Sequence, residues 1–182
     1  MKIVFVSDIH GCYARLKPVI SFFDEVKADM LCIGGDIINY GPRNGIPSDG
    51  LDPHAIADAL NARSGRIVAV RGNCDSEVDQ MLLKFPMSSD YAVVADGGRV
   101  FFLTHGHKII GADGQPWLKA DVVVSGHTHL WGLDRGDDGV VRLNTGSVTF
   151  PKGGREATFA YYDGRSLSVL AISGEVLKSV TL

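Results

Sequence analysis

The chain opens with MKIVFVSDIHG (residues 1–11), and this stretch decides how the fold begins. Its apolar, β-branched and aromatic run predicts a buried β-strand over residues 2–7. Asp8 and His10 interrupt the run too early for a signal peptide. We therefore expect the chain to start with an inner strand of a sheet, and the end of that strand carries polar side chains.

The first half of the chain repeats this pattern and alternates it with helical segments. Two more apolar runs end at glycine followed by a polar residue, in GGD (residues 34–36) and RGN (residues 71–73). These runs are residues 30–33 and 67–70, and apolar residues recur at helical spacing over 13–26 and 54–62. Strand–helix–strand alternation predicts a mostly parallel sheet with right-handed crossovers.

The second half is rich in hairpin signals. Residues 91–95 and 99–104 flank the turn sequence DGG, and further turns are expected at 136–139 and 163–165, with an apolar strand over 122–125. A short helix over 77–85 precedes them and ends at Pro86. The pattern predicts two packed sheets with helices outside. No linker or repeat interrupts the 182 residues, so we expect a single domain over 1–182.

Composition narrows the class of partner. Hydrophobic residues make up 45% and charged residues 21%, with a formal net charge of −3 and a pI near 6.0. Without a clustered basic face, the chain is not expected to bind duplex nucleic acid. Three widely spaced cysteines, Cys12, Cys32 and Cys74, predict reduced thiols. No apolar stretch approaches the roughly 20 residues that span a bilayer, so we expect a cytoplasmic protein without membrane contact.

Five short motifs at predicted strand ends carry the polar side chains. They are Asp8-Ile9-His10, Gly35-Asp36, Gly72-Asn73-Cys74-Asp75, Thr104-His105-Gly106-His107 and Gly126-His127-Thr128-His129. The carboxyl ends of parallel strands are where α/β proteins place their sites. In extended chain, side chains two residues apart face the same way. The pair Asp8 and His10 and the pair His127 and His129 are therefore each expected to reach into one cavity.

The residue types favour a metal centre. Each motif alone is more typical of capping or turn chemistry, but five of the six histidines fall in three glycine-flanked strand ends. Imidazole with carboxylate suits manganese, iron, cobalt, nickel or zinc, whereas magnesium and calcium sites are richer in oxygen. Seven candidate ligands exceed what one tetrahedral ion needs. Two ions that share one carboxylate account for the excess.

The order D-x-H, G-D, G-N-x-D, H-G-H, G-H-x-H resembles the calcineurin-like metallophosphoesterase superfamily. Residues 34–44, 70–81, 144–147 and 151–154 are similar to the YfcE-type bacterial phosphodiesterases in particular. The resemblance implies an α/β fold, a four-layer α/β/β/α sandwich of two mixed sheets flanked by helices. It also implies one ion held by Asp8, His10, Asp36 and His129, and a second held by Asp36, Asn73, His105 and His127.

The implied activity is hydrolysis of small phosphodiesters by a bridging hydroxide at a dinuclear centre. Manganese is the metal we expect first, with nickel, cobalt, iron and zinc as alternatives. Two ions about 3.5–4 Å apart can clamp a phosphoryl group and activate a water. Asp36 is implied as the bridge, with one carboxylate oxygen facing each ion.

Cys74 departs from the pattern of many superfamily members. They carry histidine at this position, and it is usually assigned to protonating the leaving group. A thiol is a poor substitute for imidazolium, which predicts a preference for diesters or for leaving groups that are stabilised otherwise. The alternative is that Cys74 is a small buried residue behind Asn73.

Other residues near the motifs have more than one interpretation each. For Asp75 the interpretations are that it holds its loop, that it orients a water on the metal, or that it caps the next helix. For His107 they are that it contacts the phosphate or that it orients a metal ligand. The candidate phosphate contacts are Asn39, Arg43 and Arg71, any of which can instead be a solvated loop residue.

Two rival functions remain open from the sequence. A phosphomonoesterase or phosphoprotein phosphatase would use the same ions, and Cys74 counts against it. A non-catalytic Vps29-like scaffold would tolerate loss of ligands, yet all seven positions are filled. Exposed apolar residues near the later hairpins are also compatible with a homo-oligomer. The sequence does not indicate the number of subunits.

Overall fold

A computed structural model describes residues 1–108 and 119–182. The elements of these residues are β1 (Ile3–Val6), α1 (Tyr13–Glu25), β2 (Met30–Ile33), α2 (Pro53–Asn61), a 3-10 helix (Ser64–Arg66), β3 (Ile67–Ala69), α3 (Glu77–Leu82), β4 (Tyr91–Asp96), β5 (Arg99–Thr104), β6 (Val122–Ser125), β7 (Gly132–Arg135), β8 (Val141–Asn144), β9 (Thr158–Tyr162), β10 (Ser166–Ala171) and β11 (Val176–Thr181). None of the helices in the described part of the chain is long and apolar enough to cross a membrane.

The strands form two mixed sheets. The six-stranded sheet has the order β11-β10-β9-β1-β2-β3, and the five-stranded sheet has the order β4-β5-β6-β8-β7. Strands β1, β2 and β3 run parallel, as do β5, β6 and β8, whereas β9 to β11 and the β4–β5 and β7–β8 pairs are antiparallel. Parallel strands end at one edge, so the polar motifs that follow β1, β2 and β3 meet there.

Side-chain alternation places the core on both faces of the six-stranded sheet. In β1, Ile3 and Phe5 join the cluster between the sheets, while Val4 and Val6 join the cluster under the helices. Burying an aliphatic or aromatic side chain of this size contributes about 1.5–3 kcal/mol. Because both faces are covered, β1 is apolar throughout rather than alternating.

Helices α1 and α2 cover the outer face of the six-stranded sheet. Their buried residues, Leu16, Val19, Ile20, Phe23, Ile56, Ala57 and Leu60, all belong to the cluster on that face. Two mixed sheets packed face to face with helices outside are the predicted class, and that prediction is confirmed.

One predicted boundary is wrong. Helix α3 ends at Leu82 rather than Phe85, because Leu83 already has an extended backbone with φ −102° and ψ 131°. Leu83, Phe85 and Met87 are buried in the cluster under the helices. A helix continued through these residues would not place all three side chains in the core, because residues two apart lie on different faces of a helix.

Candidate metal centre

The loops that follow β1 and β2 are tied together by their backbones. The N–H of Asp8 donates to the Gly35 carbonyl at 3.1 Å, and the N–H groups of Ile9 and His10 both donate to the Asp36 carbonyl at 2.9 Å. These bonds bring the first two polar motifs to one edge of the six-stranded sheet. The aspartates therefore lie side by side before any ligand is considered.

Most of the predicted ligands have a left-handed backbone. The non-glycine residues with positive φ in residues 1–108 and 119–182 are Asp8 (54°), His10 (49°), Lys27 (52°), Asp36 (55°), His127 (66°) and His129 (60°). The expectation that these pairs are extended is therefore wrong. The side chains converge because the chain turns sharply at each ligand. Aspartate and histidine tolerate this conformation better than most residues, and such positions concentrate at functional sites.

Asp8, His10 and His129 form one corner of the site. Asp8 Oδ1 lies 3.1 Å from His129 Nε2 and 3.6 Å from His10 Nε2. The two Nε2 atoms are 3.2 Å apart. All three side chains are buried. Each offers one possible ligand atom, and these three atoms lie within 4.8 Å of one another. Three donor atoms this close suit a single cation.

Asp36 lies between this corner and a second one. Its Oδ2 is 3.7 Å from His10 Nε2 and 3.4 Å from His105 Nε2. Its Oδ1 accepts the backbone N–H of Cys74 at 2.8 Å. The expectation that each carboxylate oxygen faces one cation therefore needs correction. The backbone holds Oδ1, and Oδ2 is the oxygen that both corners share.

The second corner contains Asn73 and the histidines that follow β5 and β6. Asn73 Oδ1 is 3.2 Å from His105 Nε2. The ring centroids of His105 and His127 are 5.1 Å apart. His107 lies farther out, with its ring 5.2 Å from His105 and 6.1 Å from His127. The structure thus brings all seven predicted ligands together, with His107 at their border.

Backbone carbonyls fix the orientation of three imidazoles. His10 Nδ1 donates to Asn39 O at 2.9 Å, His105 Nδ1 to Gly34 O at 2.7 Å and His129 Nδ1 to Phe150 O at 2.8 Å. Each bond holds a proton on Nδ1 and directs Nε2 toward the centre, where that nitrogen can bind a metal ion once it is deprotonated. This is the usual outer-shell arrangement of metal-bound histidine.

The electrostatics of the buried carboxylates suit a bound cation. Asp8 Oδ1 is buried without a hydrogen-bond partner in the described part of the chain. Burial opposes ionisation of Asp8 most, but the neighbouring imidazoles of His10 and His129 outweigh it and hold its pKa well below the usual value. Burial likewise opposes ionisation of Asp36, and the hydrogen bond with His105 lowers its pKa. An ionised carboxylate with a free buried oxygen fits a metal ion.

A polar network beneath Asp8 was missed by the sequence reasoning. Ser7 Oγ donates to Asp8 Oδ2 at 2.5 Å, and the His127 N–H donates to the same oxygen at 2.9 Å. Ser7 Oγ is also 2.7 Å from Thr145 Oγ1, while Ser147 Oγ donates to the Asp8 carbonyl at 2.8 Å. Serine and threonine at the end of a strand carry little signal without the three-dimensional neighbours.

Asp75 holds two motif loops together. Its carboxylate accepts the N–H groups of Asp36, Ile37 and Gly72 at 2.7, 2.8 and 2.7 Å. Burial raises its pKa, and the three donors oppose that effect. Helix α3 is capped instead by Ser76, in a capping box with Asp79. Among the interpretations that the sequence left open, these contacts support the loop-holding one.

A cleft of about 650 Å³ opens over the cluster. It is lined by His10, Asp36, Asn39, Gly41, Pro42, Arg43, Asn44, Asn73, Cys74, His127, Thr128, His129 and Lys152. Among the predicted phosphate contacts, Asn39 and Arg43 line it and Arg71 does not. Asn39 Oδ1 accepts the Gly41 N–H at 2.8 Å, and Arg71 Nε donates to the Asp75 carbonyl at 3.3 Å. Lys152 and Thr128 were not among the sequence candidates.

Cys74 lines the cleft and is half-buried rather than hidden behind Asn73. Its Sγ accepts a hydrogen bond from Asn73 Nδ2 at 3.1 Å. Burial and then the Asp36 charge raise the pKa of the thiol to about 12. Burial, followed by the charge of His105, lowers the pKa values of His107 and His127. Those two imidazoles are therefore neutral at pH 7.

Known proteins resemble this chain in sequence and in fold. The calcineurin-like phosphoesterase superfamily domain matches residues 1–166. The chain is 43% identical over 176 residues to phosphodiesterase YfcE of Escherichia coli K12, covering 96% of this chain and 94% of that protein. A solved structure of YfcE, a phosphoesterase from E. coli, matches with a TM-score of 0.92 at 40% identity, over 100% of this chain and 99% of that one.

A more distant likeness concerns the fold alone. Vps29 from Chaetomium thermophilum matches with a TM-score of 0.65 at 18% identity, over 99% of this chain and 97% of that one.

Proposed function

Since the chain belongs to the calcineurin-like phosphoesterase superfamily, we propose that it hydrolyses small phosphodiesters with the help of two divalent metal ions. The resemblance expected from the motifs is confirmed by the match over residues 1–166. The relative with 43% identity is a phosphodiesterase by name. Membership of the superfamily and the Asp–His cluster support a metal-dependent hydrolase acting on phosphoric esters.

The position of Asp36 Oδ2 is the observation that carries the two-ion proposal. This one oxygen is within 3.7 Å of an imidazole on either side. A carboxylate oxygen between two sets of ligands can neutralise charge in both. We assign Asp8, His10, Asp36 and His129 to one ion, and Asp36, Asn73, His105 and His127 to the other. Manganese is the metal we expect first, because imidazole with carboxylate suits first-row ions; nickel, cobalt, iron and zinc fit the same argument.

When bound, the ions activate a water as the nucleophile and neutralise charge on the phosphoryl oxygens. The side chains of the protein position the ions and the substrate. Backbone bonds to His10, His105 and His129 hold the Nε2 atoms in place beforehand, so little reorganisation accompanies the reaction. His107 stays neutral and can donate a hydrogen bond to a non-bridging phosphoryl oxygen. Cys74 faces the cleft as a protonated thiol.

The rival functions are weaker on these contacts. The preference for diesters over monoesters rests on the 43% identical relative, which is a phosphodiesterase by name. A thiol with a pKa raised to about 12 is a poor proton donor for an alkoxide that leaves from either kind of ester. A scaffold has no need for three oriented imidazoles around buried carboxylates. A reducing, cytoplasmic setting remains part of the proposal and is supported by the free thiols of Cys12, Cys32 and Cys74.

Metal-stripped protein assayed on aryl phosphodiesters and monoesters with manganese, nickel, cobalt, magnesium and zinc tests the proposal. We expect diester hydrolysis to exceed monoester hydrolysis and to require added metal. Asp36→Asn should lower kcat/KM on the diester by at least about a hundredfold, and Asp138→Asn, on the exposed surface, should leave it unchanged. Full activity of Asp36→Asn, or activity without metal, would show that the bridged mechanism is wrong.

A further inference from the structure

The cleft is larger than the group that reacts in it. Its volume of about 650 Å³ is in the range that holds a whole small-molecule ligand, whereas the proposed ions and one phosphoryl group occupy only its floor. The remaining walls therefore contact the groups esterified to the phosphate. Charge on those walls selects among such groups.

Lys152 lies on one wall at a fixed position. Its backbone N–H donates to the carbonyl of His129 at 3.0 Å, and its own carbonyl accepts the N–H of Arg155 at 3.2 Å. Arg155 in turn lies over the Trp131 ring, with its guanidinium carbon 5.4 Å from the centroid. The backbone of Lys152 is thus attached directly to a predicted ligand, while its side chain is exposed to the cleft.

Arg43 reaches the same cleft from the loop after β2. That loop is closed by its own hydrogen bonds, from the Gly41 N–H to Asn39 Oδ1 at 2.8 Å and from Asn44 Nδ2 to the Tyr40 carbonyl at 2.7 Å. Arg43 is exposed and lines the cleft. The two cations come from loops far apart in sequence, and both line this opening.

Among the residues that the structure describes, the charges of Arg43 and Lys152 have no partner of opposite sign. Several cations elsewhere pair with aspartate, as Arg63 does with Asp24 and Lys178 with Asp134. Neither Arg43 nor Lys152 makes such a pair in residues 1–108 and 119–182. The carboxylate that lines the cleft in these residues is Asp36, which is buried and assigned to the ions. An anionic ligand group is what would satisfy the two side chains.

We propose that Arg43 and Lys152 form a binding subsite for a second phosphate group of the substrate, outside the phosphodiester that is cleaved. The inference rests on the proposed function and names its substrate class as diesters in which the alcohol that does not leave carries a phosphate. Arginine binds phosphate oxygens through its planar fork, and lysine adds a compact charge.

Three diesters with the same p-nitrophenolate leaving group test the subsite with metal-loaded protein. The other alcohol is ethanol (neutral), choline (cationic) or 3-phosphopropanol (anionic). We expect kcat/KM to be highest for the anionic ester. Arg43→Ala and Lys152→Ala should each lower the ratio of kcat/KM for the anionic ester to that for the ethyl ester by about tenfold or more. Lys152→Glu should shift the preference toward the choline ester.

Lys84→Ala and Arg165→Ala are matched controls, because both side chains are exposed and lie outside the cleft. They should leave the ratio unchanged. If the wild-type protein cleaves all three esters and the ratio stays constant in the Arg43 and Lys152 variants, the subsite is wrong and the phosphodiesterase proposal stands. If it cleaves none of them with any metal, both proposals are wrong.

Discussion

Asp8 shows how one residue is prepared for a cation. Its Oδ2 is occupied by the Ser7 hydroxyl and the His127 N–H, and its Oδ1 is free and buried beside His10 and His129. The hydrogen bonds to one oxygen decide which way the other one points. A ligand that is already oriented loses less conformational entropy when the metal binds.

Ser7→Ala is predicted to weaken metal binding by about 10–100-fold, because removal of an outer-shell partner leaves Asp8 free to rotate. Loss of the hydroxyl should also lower the free energy of unfolding by about 1–2 kcal/mol. Metal titration by calorimetry and urea denaturation of the metal-free protein measure the two effects.

Ser168→Ala is the control for Ser7→Ala, because the Ser168 hydroxyl donates to Ser179 Oγ at 2.9 Å on exposed strands. It should not change metal affinity. Equal affinities for wild-type protein and Ser7→Ala would mean that the hydroxyl does not position Asp8.

Cys74→His is predicted to change the choice of leaving group. An imidazolium in the cleft protonates a departing alkoxide better than a thiol does, and general acid catalysis typically contributes 10²–10⁴-fold. We expect the rate on alkyl esters to rise relative to aryl esters by at least about tenfold, since an aryl oxide leaves without a proton. Unchanged relative rates would contradict the role assigned to Cys74.

Cys74→Ser is the companion variant, because it keeps the size of the side chain without the imidazole. It should leave the ratio of alkyl to aryl rates near the wild-type value. Gly41 limits the room beside residue 74, since a Cβ at position 41 would lie 2.6 Å from Cys74 Sγ. The new imidazole must therefore point into the cleft.

At the scale of elements, the loops after β2 and β3 touch backbone to backbone. A Cβ on Gly72 would lie 2.1 Å from Asp36 Oδ1 and 2.4 Å from the Asp36 nitrogen. A Cβ on Gly35, whose φ is +89°, would lie 2.5 Å from the Gly72 nitrogen. Asp75 then joins both loops through its three hydrogen bonds. The glycines of these motifs are needed for contact between the loops as well as for turning.

Gly72→Ala is predicted to displace Asp36 and to lower the affinity for metal by at least about tenfold, with a loss of roughly 1–3 kcal/mol in the free energy of unfolding from overpacking. Metal titration and chemical denaturation measure both quantities.

Gly65→Ala is the matched control, because a Cβ there meets no atom within 4 Å. It should be neutral or slightly stabilising. Wild-type metal affinity in Gly72→Ala would show that the loops can separate without moving Asp36.

At the scale of the whole molecule, the centre lies where the two sheets meet. Asp8, Asp36 and Asn73 follow strands of the six-stranded sheet, whereas His105 and His127 follow strands of the five-stranded sheet. Hydrogen bonds already cross this seam, among them one from His105 Nδ1 to the Gly34 carbonyl and one from the His127 N–H to Asp8 Oδ2. Ions bound here would join the sheets.

Metal removal is therefore predicted to lower global stability. At a concentration a hundredfold above Kd, a ligand stabilises the native state by about 2.7 kcal/mol, which corresponds to roughly 5–10 °C in Tm for a chain of this length. Thermal denaturation with manganese and with a chelator measures the difference. Equal Tm values at saturating manganese would contradict metal binding to the native state.

The metal effect should grow between pH 6 and pH 8. Burial opposes the charge on His10 and His105, but Asp8 and Asp36 respectively outweigh it and raise both pKa values. In metal-free protein, the stability from these raised pKa values is present at low pH and is lost as the pH rises through them. Protons also compete with metal at low pH. Both effects enlarge the difference in Tm at pH 8.

The sequence alone predicted the approximate positions of the strands and the candidate ligands, and its motifs identified the family. Apolar runs predicted where the strands lie, and residues 1–11 already contained a buried strand with Asp8 and His10 just after its end. These features are local, because side-chain pattern and backbone preference act over a few residues. The helix end at Leu82 escaped this reasoning, since core packing of Leu83 and Phe85 overrode the local pattern.

Only the tertiary structure decided how the ligands converge. Five of them have a left-handed backbone, Asp36 presents a single oxygen to both corners, and Ser7 and Asp75 hold the aspartates in place. Lys152 lines the cleft although it lies far along the chain from the other positively charged residue there, Arg43. These features depend on contacts between segments that lie far apart in the sequence, as Ser7 and Thr145 do. No pattern within one segment encodes the distance between side chains that meet only after the two sheets have packed.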